Sequence, residues 1–481
     1  MFSSARSIAL ISCCILLFGA SADALVFTDP KKLPKRKYDF VIVGAGTAGN
    51  VMANRLTENG QFSVLVIEAG VSNDGVLASA VPFLAPTSQP ASPILWNYTT
   101  VPQKALNNRV LGYSRGRLLG GSSSVNFMTY TRGSDDDYNR WAKLIEDPTW
   151  SWKNLEPYYL KSSRLVPPAD HHNTNGQVNP AVHGNGPVEL SVPGFPTDID
   201  ARVINSSREL SSQFPFNLDV QSGNTIGINH PILSNYFVVD STTTFDTVLR
   251  NPTLINNLLQ EWNTTGKGLF VDAPANTLGF LRVNQTVLRG ATDPSAGSKS
   301  GHFEMIFADG FAATVETAPA TGNFITVNTA VVSPSSKGSI TLASADPFAF
   351  PNIDPGFFTS SLDVSIMIAA VRAVRQFLTA SPWKGYITGR FGVMGAANTD
   401  AELTAASRES VVTIWHPTST AMMSPATASW GVVDTRLLVK GAVGLRIVDA
   451  SVFPVIPAGH TAGPVYIVAE RAADFVLEAW C

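Results

Sequence analysis

Two histidines in the C-terminal part of the chain could take up a proton, because imidazole titrates close to neutral pH. His416 precedes Pro417, and the residue before a proline avoids the helical conformation, so we expect this histidine in a turn that opens on a cleft. His460 stands just before the last predicted helix. A positioned base of this kind is needed wherever a hydroxyl group gives up its proton during oxidation. Histidines that only complete a structural hydrogen-bond network are the alternative interpretation.

A glycine-rich turn near the start of the chain is typical of dinucleotide binding. The apolar run YDFVIV is followed by GAGTAG, by a helical stretch and by a second apolar run, which together predict a β-α-β unit whose glycines let backbone approach a pyrophosphate. The candidate cofactor-binding residues of this turn are Gly44, Gly46, Thr47, Ala48 and Gly49. Glu68 ends the second run, about 20 residues further on, where a carboxylate binds ribose hydroxyls. The motif alone leaves FAD and NAD open.

A second polar segment, residues 115–134, combines glycines and hydroxyl groups with arginines. Backbone and side-chain donors of this kind suit a polyanionic cofactor. The candidate cofactor-binding residues here are Gly120, Gly121, Ser122 and Asn126. Asp449, after the apolar run LRIV, is one more candidate, and a turn cap is its alternative role. Judged by composition alone, residues 115–134 could also form an ordinary polar loop.

Several stretches resemble the signatures of one enzyme family. RGRLLGGSSSVNFMTYTRGS, WHPTSTAMMSP, GLRIVDASVFP and PAGHTAGPVYIVAERAADF are similar, in this order, to motifs of the glucose-methanol-choline (GMC) oxidoreductases. The resemblance runs from Tyr38 nearly to the end of the chain and implies FAD rather than NAD. Oxidation by FAD needs a hydride to leave carbon and a proton to leave oxygen. We therefore expect His416 to act as the base and His460 to orient the substrate hydroxyl.

The stretches WNYTT and VPPADHHNTNGQVNPAVHG look particularly like the aryl-alcohol oxidases within this family. This resemblance implies the oxidation of primary aromatic alcohols to aldehydes, with O2 reduced to H2O2 or a quinone as the acceptor. It also implies that Phe127, Phe311 and Trp415 narrow the entrance over the flavin, whereas the usual position of such residues is the core. The alternatives within the family are an oxidoreductase of sugars or choline, and a lyase on the same scaffold.

The fold expected is α/β, with a discontinuous Rossmann-type FAD-binding lobe and an α+β substrate lobe built on an antiparallel sheet. The predicted FAD-binding domain comprises residues 36–149 and 425–479, and the predicted substrate-binding domain comprises residues 150–424. In the C-terminal part of the first domain, residues 444–451 read as a buried strand. Residues 463–478 read as the closing helix.

Composition limits the partners. The chain has 481 residues, 44% of them apolar and 15% charged, and a net charge of −3. It offers no overall positive field for nucleic acid or an anionic membrane, so we expect small-molecule partners. We also expect a monomer. The neighbouring histidines His171, His172 and His183 lie in a polar loop without paired thiolates, and we expect a solvated loop there and no metal.

Residues 1–24 predict a cleavable signal peptide and hence a secreted protein. Their apolar run of 13 residues is shorter than the ~20 that a membrane span needs. A membrane anchor is the alternative. Asparagines in glycosylation sequons agree with export and stand at Asn97, Asn205, Asn263 and Asn284.

The middle of the chain departs from the family pattern. Near Asn235, a stretch that resembles the family's cap region is followed directly by a stretch that family members contain much further along their chains. We therefore expect that a domain-sized block, including strands of the nucleotide lobe, is deleted here. Two hypotheses follow. The protein is either a working FAD alcohol oxidase or a shortened, flavin-deficient and inactive family member.

Overall fold

The first strand of the chain, β1 (Phe40–Val43), pairs in parallel with β2 (Val64–Ile67), and the helix α1 (Thr47–Thr57) connects them. Both strands are short apolar runs, and α1 begins directly after the glycine turn. This β-α-β unit confirms the predicted topology of the nucleotide lobe.

The structure, a computed structural model, describes residues 25–89, 92–229, 234–312 and 315–480. The predicted signal peptide at 1–24 lies outside the described residues. The further α-helices are α2 (Leu77–Ala80), α3 (Asp135–Leu144), α4 (Trp152–Ser162), α5 (Asp198–Glu209), α6 (Phe245–Leu249), α7 (Pro252–Thr265), α8 (Gln285–Leu288), α9 (Ser361–Phe377), α10 (Gly392–Ala396), α11 (Asp400–Ser410) and α12 (Ala462–Glu478). The further strands are β3 (Leu95–Trp96), β4 (Arg115–Gly116), β5 (Ser163–Leu165), β6 (Val188–Leu190), β7 (Gly227–Asn229), β8 (Asn235–Val239), β9 (Thr277–Leu281), β10 (Phe303–Ala308), β11 (Phe324–Val331), β12 (Ser339–Thr341), β13 (Asn352–Asp354) and β14 (Ile387–Phe391). Within these ranges, no helix combines the length and the apolar character that crossing a bilayer requires.

A first hydrophobic core lies under β1 and joins α1, α3, α4 and α12. Its centre is aromatic, with Trp141, Trp150 and Phe453 fully buried. The helix α12, predicted from its apolar periodicity, is the longest contributor to this core. The two ends of the chain therefore share one core, which agrees with the expectation of a discontinuous lobe.

The second core lies against a six-stranded sheet in the order β14-β8-β11-β10-β9-β7, in which every neighbouring pair is antiparallel. The amphipathic helix α9 packs on β10 and β11 and buries Ile366, Ala370 and Val374 in this core. Ser360 caps its first turn by accepting a hydrogen bond from the backbone of Leu362. The predicted antiparallel sheet of the substrate lobe is confirmed.

The predicted boundary between residues 149 and 150 does not follow the packing. Trp152, Leu155 and Tyr159, all on α4, are buried in the first core. Their aromatic and apolar faces contact the nucleotide lobe, so α4 belongs to that lobe by packing, although the sequence interpretation assigned it to the substrate-binding domain.

The prediction of a strand at residues 444–451 is wrong. This segment is irregular, and its one ladder contact is an isolated antiparallel bridge between Leu438 and Arg446. It ends in a short 3-10 turn at Ala450–Val452. The described residues offer it no parallel neighbour, because the sheet that contains β1 has only the two strands β1 and β2.

Candidate active site

The glycine turn between β1 and α1 is built for close approach of an anion. Gly44 has a φ of 96°, in the left-handed region that favours glycine. A Cβ atom at Gly49 would lie 2.0 Å from the carbonyl oxygen of Gly44, so only glycine lets the helix sit this close to the turn. The N-cap of α1 is Gly46, which supplies no side-chain acceptor. The first backbone N–H groups of α1 are therefore free to bind a phosphate.

The loop at residues 115–134 packs directly on this turn. Gly120 N donates to the carbonyl oxygen of Ala45 at 2.8 Å, and a Cβ atom at Gly121 would lie 2.8 Å from the Cα of Gly46. Ser122 Oγ accepts a hydrogen bond from Gly116 N at 3.1 Å and holds the loop closed. Two glycine-rich segments thus form one continuous backbone surface.

The acidic candidates have backbone partners. Glu68 accepts from Ala45 N at 2.9 Å through Oε2 and from Gly70 N at 2.7 Å through Oε1. Each carboxylate oxygen keeps a second lone pair for a ribose hydroxyl. Asp449 accepts from Ser451 N at 2.8 Å and caps the turn that follows it, which was its alternative role.

A cleft of about 1110 Å³ runs along these segments. It brings together most of the predicted site residues, namely Gly44, Gly46, Thr47, Ala48, Gly49, Glu68, Gly121, Ser122, Asn126, Phe127, Trp415, His416, Asp449 and His460. Gly120 and Phe311 do not line it. Free helix N–H groups, tight glycine contacts and a carboxylate near the second strand suit the phosphates and ribose of a dinucleotide, so the residues present fit FAD.

The two histidines face each other in this cleft, with ring centroids 5.0 Å apart and ring planes at 70°. Burial holds the pKa of His416 well below its ordinary value, and the neighbouring His460 and Arg115 lower it further. Imidazole with a low pKa is neutral at physiological pH and has a free lone pair. His416 is thus equipped to accept a proton.

His460 is fixed from two sides. Its backbone N–H donates to Thr131 Oγ1 at 2.8 Å, and its Nε2 lies 2.8 Å from Glu304 Oε1. Glu304 is fully buried on β10, and burial raises the pKa of this carboxyl group, against the opposing effect of His460. The sequence interpretation did not single out Glu304 or Thr131, the two partners of His460. The signal for the first was available, since Glu304 is a charged residue inside the apolar run FEMIFA of β10.

Phe127 and Trp415 meet edge to face beside the histidines, with ring centroids 6.2 Å apart. Trp415 has a φ of 58°, which is strained for a bulky residue and turns the segment that presents His416. Phe311 lies elsewhere. It stacks on Tyr236 at 3.9 Å in a separate aromatic cluster of the antiparallel sheet, so the structure does not support a role for it at the entrance.

Two histidines of the polar loop pair with carboxylates. His172 Nδ1 lies 2.6 Å from Asp170, and His183 Nε2 lies 2.9 Å from Asp219. The side chain of His183 is only 5% exposed, so the expectation of a solvated loop is wrong at this residue, because its ring packs against a buried carboxylate. Among the described residues, no group of three or more histidine, cysteine or acidic side chains is arranged to hold a metal ion.

Comparison with known proteins identifies the chain. Two models of the GMC oxidoreductase family match it, one over residues 38–207 and the other over residues 334–469. The dehydrogenase eriK of Hericium erinaceus is 32% identical across 99% of this chain and 99% of its own length. The chain belongs to the GMC oxidoreductase family. A second GMC relative, the pyranose dehydrogenase of Agaricus campestris, is 31% identical over 98% of this chain and 99% of its own length.

Solved structures agree on the GMC fold. A formate oxidase of Aspergillus oryzae superposes with a TM-score of 0.82, at 23% identity, over 92% of this chain and 98% of its own. A fungal aryl-alcohol oxidase superposes with a TM-score of 0.73, at 20% identity, over 93% and 100% of the two chains. The family makes this protein an FAD-dependent oxidoreductase, with FAD as its cofactor.

The alignment with the Hericium relative also bears on the middle of the chain. It extends over 607 positions at full coverage of both proteins, whereas this chain has 481 residues. The relative therefore contains more than a hundred residues that have no counterpart here. The position of the missing block, near Asn235, stays a prediction.

Proposed function

We propose that this GMC oxidoreductase oxidises a primary aromatic alcohol to the aldehyde, with O2 or a quinone as the final electron acceptor. The observation that carries the proposal is the facing pair of His416 and His460, 5.0 Å apart, in the cleft that also contains the glycine turn. FAD, when bound, supplies the acceptor for the hydride that leaves the substrate carbon.

In this proposal, His416 and His460 have different roles toward the substrate hydroxyl. His416 accepts the hydroxyl proton on its free ring nitrogen, since its low pKa keeps it unprotonated. Nε2 of His460 is engaged by Glu304, so the ring orients the hydroxyl through Nδ1. Nδ1 donates to the hydroxyl oxygen when the proton between Nε2 and Oε1 sits on Glu304, whose pKa burial raises. Glu304, hydrogen-bonded to Nε2 of His460, is a positioning residue that fixes the plane of that ring.

The preference for an aromatic substrate rests on Phe127 and Trp415. Their rings line the cleft beside His416, and such rings favour a planar substrate by stacking and edge contacts. A sugar is the second candidate, because relatives with 31% and 32% identity are named pyranose dehydrogenases. The other alternative is a chain that retains no flavin, and the observation that favours it is the exposure of Val41 and Val43 on β1, at 56% and 83%.

Replacing the base tests the proposal directly. We expect His416→Ala to slow the reduction of bound flavin by about 10³-fold, within the range that a general base contributes, while the flavin content stays the same. His172→Ala, in the polar loop, is the matched control and should leave the rate unchanged. Rapid-mixing absorbance at saturating FAD gives both values. A His416→Ala rate equal to that of the unmodified protein would refute the role of this residue.

Substrate and acceptor are tested in one set of assays. We expect 4-methoxybenzyl alcohol to give faster turnover than glucose or choline, measured as peroxide release in air and as quinone reduction without O2. Faster turnover of glucose would favour the sugar candidate. The ratio of peroxide release to quinone reduction distinguishes an oxidase from a dehydrogenase.

We further propose that the protein is secreted as a glycosylated monomer after removal of residues 1–24. N-terminal sequencing of the protein from culture medium is expected to begin near Leu25. Its mass before and after deglycosylation tests the four sequons, and light scattering tests the monomer.

A further inference from the structure

The strand β10 is followed by a carboxyl group that is almost completely buried. Asp309 comes directly after Ala308, the last residue of β10, and is only 2% exposed. Its carbonyl oxygen accepts a hydrogen bond of 2.7 Å from Phe245 N, at the start of α6. A Cβ atom at the next residue, Gly310, would lie 2.8 Å from the Cβ of Phe245, so the end of β10 packs closely on α6. Asp309 does not line the cofactor cleft.

The side chain of Asp309 lacks the hydrogen bonds that a buried carboxylate needs. No described residue donates a hydrogen bond to it, and its Oδ1 is shielded from solvent. Two neighbouring carboxyl groups differ in this respect. Asp246 accepts from two backbone N–H groups, at 3.1 and 2.8 Å, and Asp200 accepts from one, at 2.7 Å. Because a buried charge without such donors is costly, the surroundings of Asp309 favour the neutral, protonated carboxyl group.

The charged groups that face Asp309 strengthen this preference. Burial raises the pKa of Asp309 most, and the carboxyl groups of Asp198 and Asp200 on α5 and of Asp246 on α6 raise it further. Arg202 on α5 opposes them, and the pKa of Asp309 is about 8. Asp309 is therefore mostly protonated at neutral pH, although an aspartate is normally ionised there.

The cations near this cluster are engaged by other groups. The guanidinium carbon of Arg202 lies 4.0 Å from the ring centroid of Tyr386, and Arg202 also donates to the carbonyl oxygen of Pro382. Arg250 lies 3.7 Å from Asp246. Burial, and next the carboxyl group of Asp309, raise the pKa of Tyr386 to about 12, so this neighbour is uncharged. No cation among the described residues lies within 4.0 Å of the Asp309 carboxyl group.

We propose that Asp309 is a proton-dependent latch, which keeps the end of β10 packed on α6 while its carboxyl group is neutral and releases it once the group ionises. The released state relieves two costs. The carboxylate gains water, and its distance from the three neighbouring carboxyl groups increases. The latch is independent of the proposed function, because it lies outside the cofactor cleft.

The direction of the pH effect follows from the difference between the folded and the unfolded chain. The pKa of Asp309 is about 8 in the folded chain, above the ordinary 3.8, so the folded form binds the proton more tightly. The contribution of Asp309 to stability is therefore complete below pH 3.8 and is lost as the pH rises toward about 8. Between these limits, one proton changes the unfolding equilibrium constant about tenfold for each pH unit.

Infrared spectroscopy of the full chain tests the protonation directly, since a protonated carboxyl group has its own carbonyl band. At pH 7 we expect a band of this kind that Asp309→Asn lacks, and we expect the band to disappear with a midpoint near pH 8. Other buried carboxyl groups contribute equally to both spectra and cancel in the difference. Asp74→Asn, at an exposed position, is the matched control and should leave the band unchanged.

Urea unfolding from pH 5 to pH 9 tests the latch itself. Asparagine has nearly the shape of the neutral aspartic acid and cannot ionise. We expect the ratio of the unfolding equilibrium constants of the unmodified protein and Asp309→Asn to rise about tenfold per pH unit up to about pH 8, and then to level off. Asp309→Ala, which is also neutral, should show the same pH trend from a lower starting stability. Circular dichroism verifies that each variant is folded.

Three results would overturn the inference. The first is the absence of any infrared band that Asp309→Asn removes. The second is a pH dependence of unfolding that is the same in Asp309→Asn and in the unmodified protein. The third is a stabilisation by Ca²⁺ that requires Asp309, which would identify a cation site instead. Neither readout depends on bound FAD, so these results leave the proposed function untouched, and a protein without flavin leaves the latch untouched.

Discussion

At the scale of single residues, the two histidines of the cleft differ in their surroundings. His416 has no hydrogen-bond partner among the described residues, and its pKa is lowered by burial first and then by the neighbouring His460 and Arg115. His460 is tied to Glu304 and Thr131. A free, neutral imidazole beside a fixed one is the arrangement that lets one ring move a proton while the other holds the substrate.

The pH dependence of flavin reduction follows from the pKa of His416. A base works only when unprotonated, and the pKa of His416 lies well below the ordinary 6.5. We expect the reduction rate to be constant from pH 6.5 upward and to fall only at lower pH, as the base takes up a proton before it meets the substrate. Stopped-flow measurements across pH 4 to 9 test this. An acid limb centred above 6.5 would contradict the assignment.

Replacement of Glu304 tests its positioning role. Glu304→Gln keeps a hydrogen-bonding group at the ring of His460, whereas Glu304→Leu removes it. We expect losses in the reduction rate of about tenfold and about hundredfold, respectively, because small misplacements of a substrate-orienting group are costly. Partial rescue by Gln at unchanged flavin content distinguishes positioning from general damage. Glu189→Gln, at an exposed position on β6, is the control. Equal losses of the reduction rate in Glu304→Gln and Glu304→Leu would contradict the positioning role.

At the scale of elements, the nucleotide lobe depends on the contact of α1, α4 and α12. Arg55 on α1 donates through Nε to Glu470 on α12 at 2.7 Å, and its Nη2 also reaches the carbonyl oxygen of Lys161 on α4. Glu470 is only 2% exposed. This ion pair ties the start of the chain to its end, and it holds the helix that follows His460.

We expect Glu470→Gln to lower the free energy of unfolding by about 2 kcal/mol, because it removes the buried counter-charge of Arg55 and leaves only the exposed carboxylate of Glu58, 3.0 Å from Nη1. Glu478→Gln removes the partner of Arg436 from a solvent-exposed pair on the same helix and should cost less than about 0.5 kcal/mol. Denaturant unfolding at pH 7 compares the two. A similar loss of unfolding free energy in both variants would show that the buried pair stabilises the protein no more than the exposed pair does.

At the scale of the whole molecule, the two cores differ in how fully their sheets are covered. The six-stranded sheet is covered by α9 and has complete antiparallel pairing, whereas the nucleotide lobe ends in a two-stranded sheet with one bare face. The cofactor cleft merges with this open side. Water therefore reaches the side of the cleft that would contact FAD. It weakens the apolar and electrostatic contacts between FAD and the protein there.

We expect purified protein to retain less than one FAD per chain after desalting, and to gain thermal stability as FAD is added, by mass action. The ratio of flavin to protein absorbance and thermal melts over a range of FAD concentrations measure the two effects. Full FAD content after prolonged dialysis would contradict this expectation. A colourless protein whose melting temperature does not respond to FAD would favour the inactive alternative.

Local features were determined by the sequence alone. The glycine turn and α12 follow from backbone freedom and hydrophobic periodicity, which act over a few residues. The family motifs also singled out most of the residues that line the cleft, including both histidines.

Only the tertiary structure decided which distant residues meet. Glu304 reaches His460 across 156 positions, Phe311 joins the sheet aromatics and not the cleft, and residues 444–449 remain irregular because no strand lies beside them. Such outcomes depend on long-range pairing, whose partners no local pattern encodes.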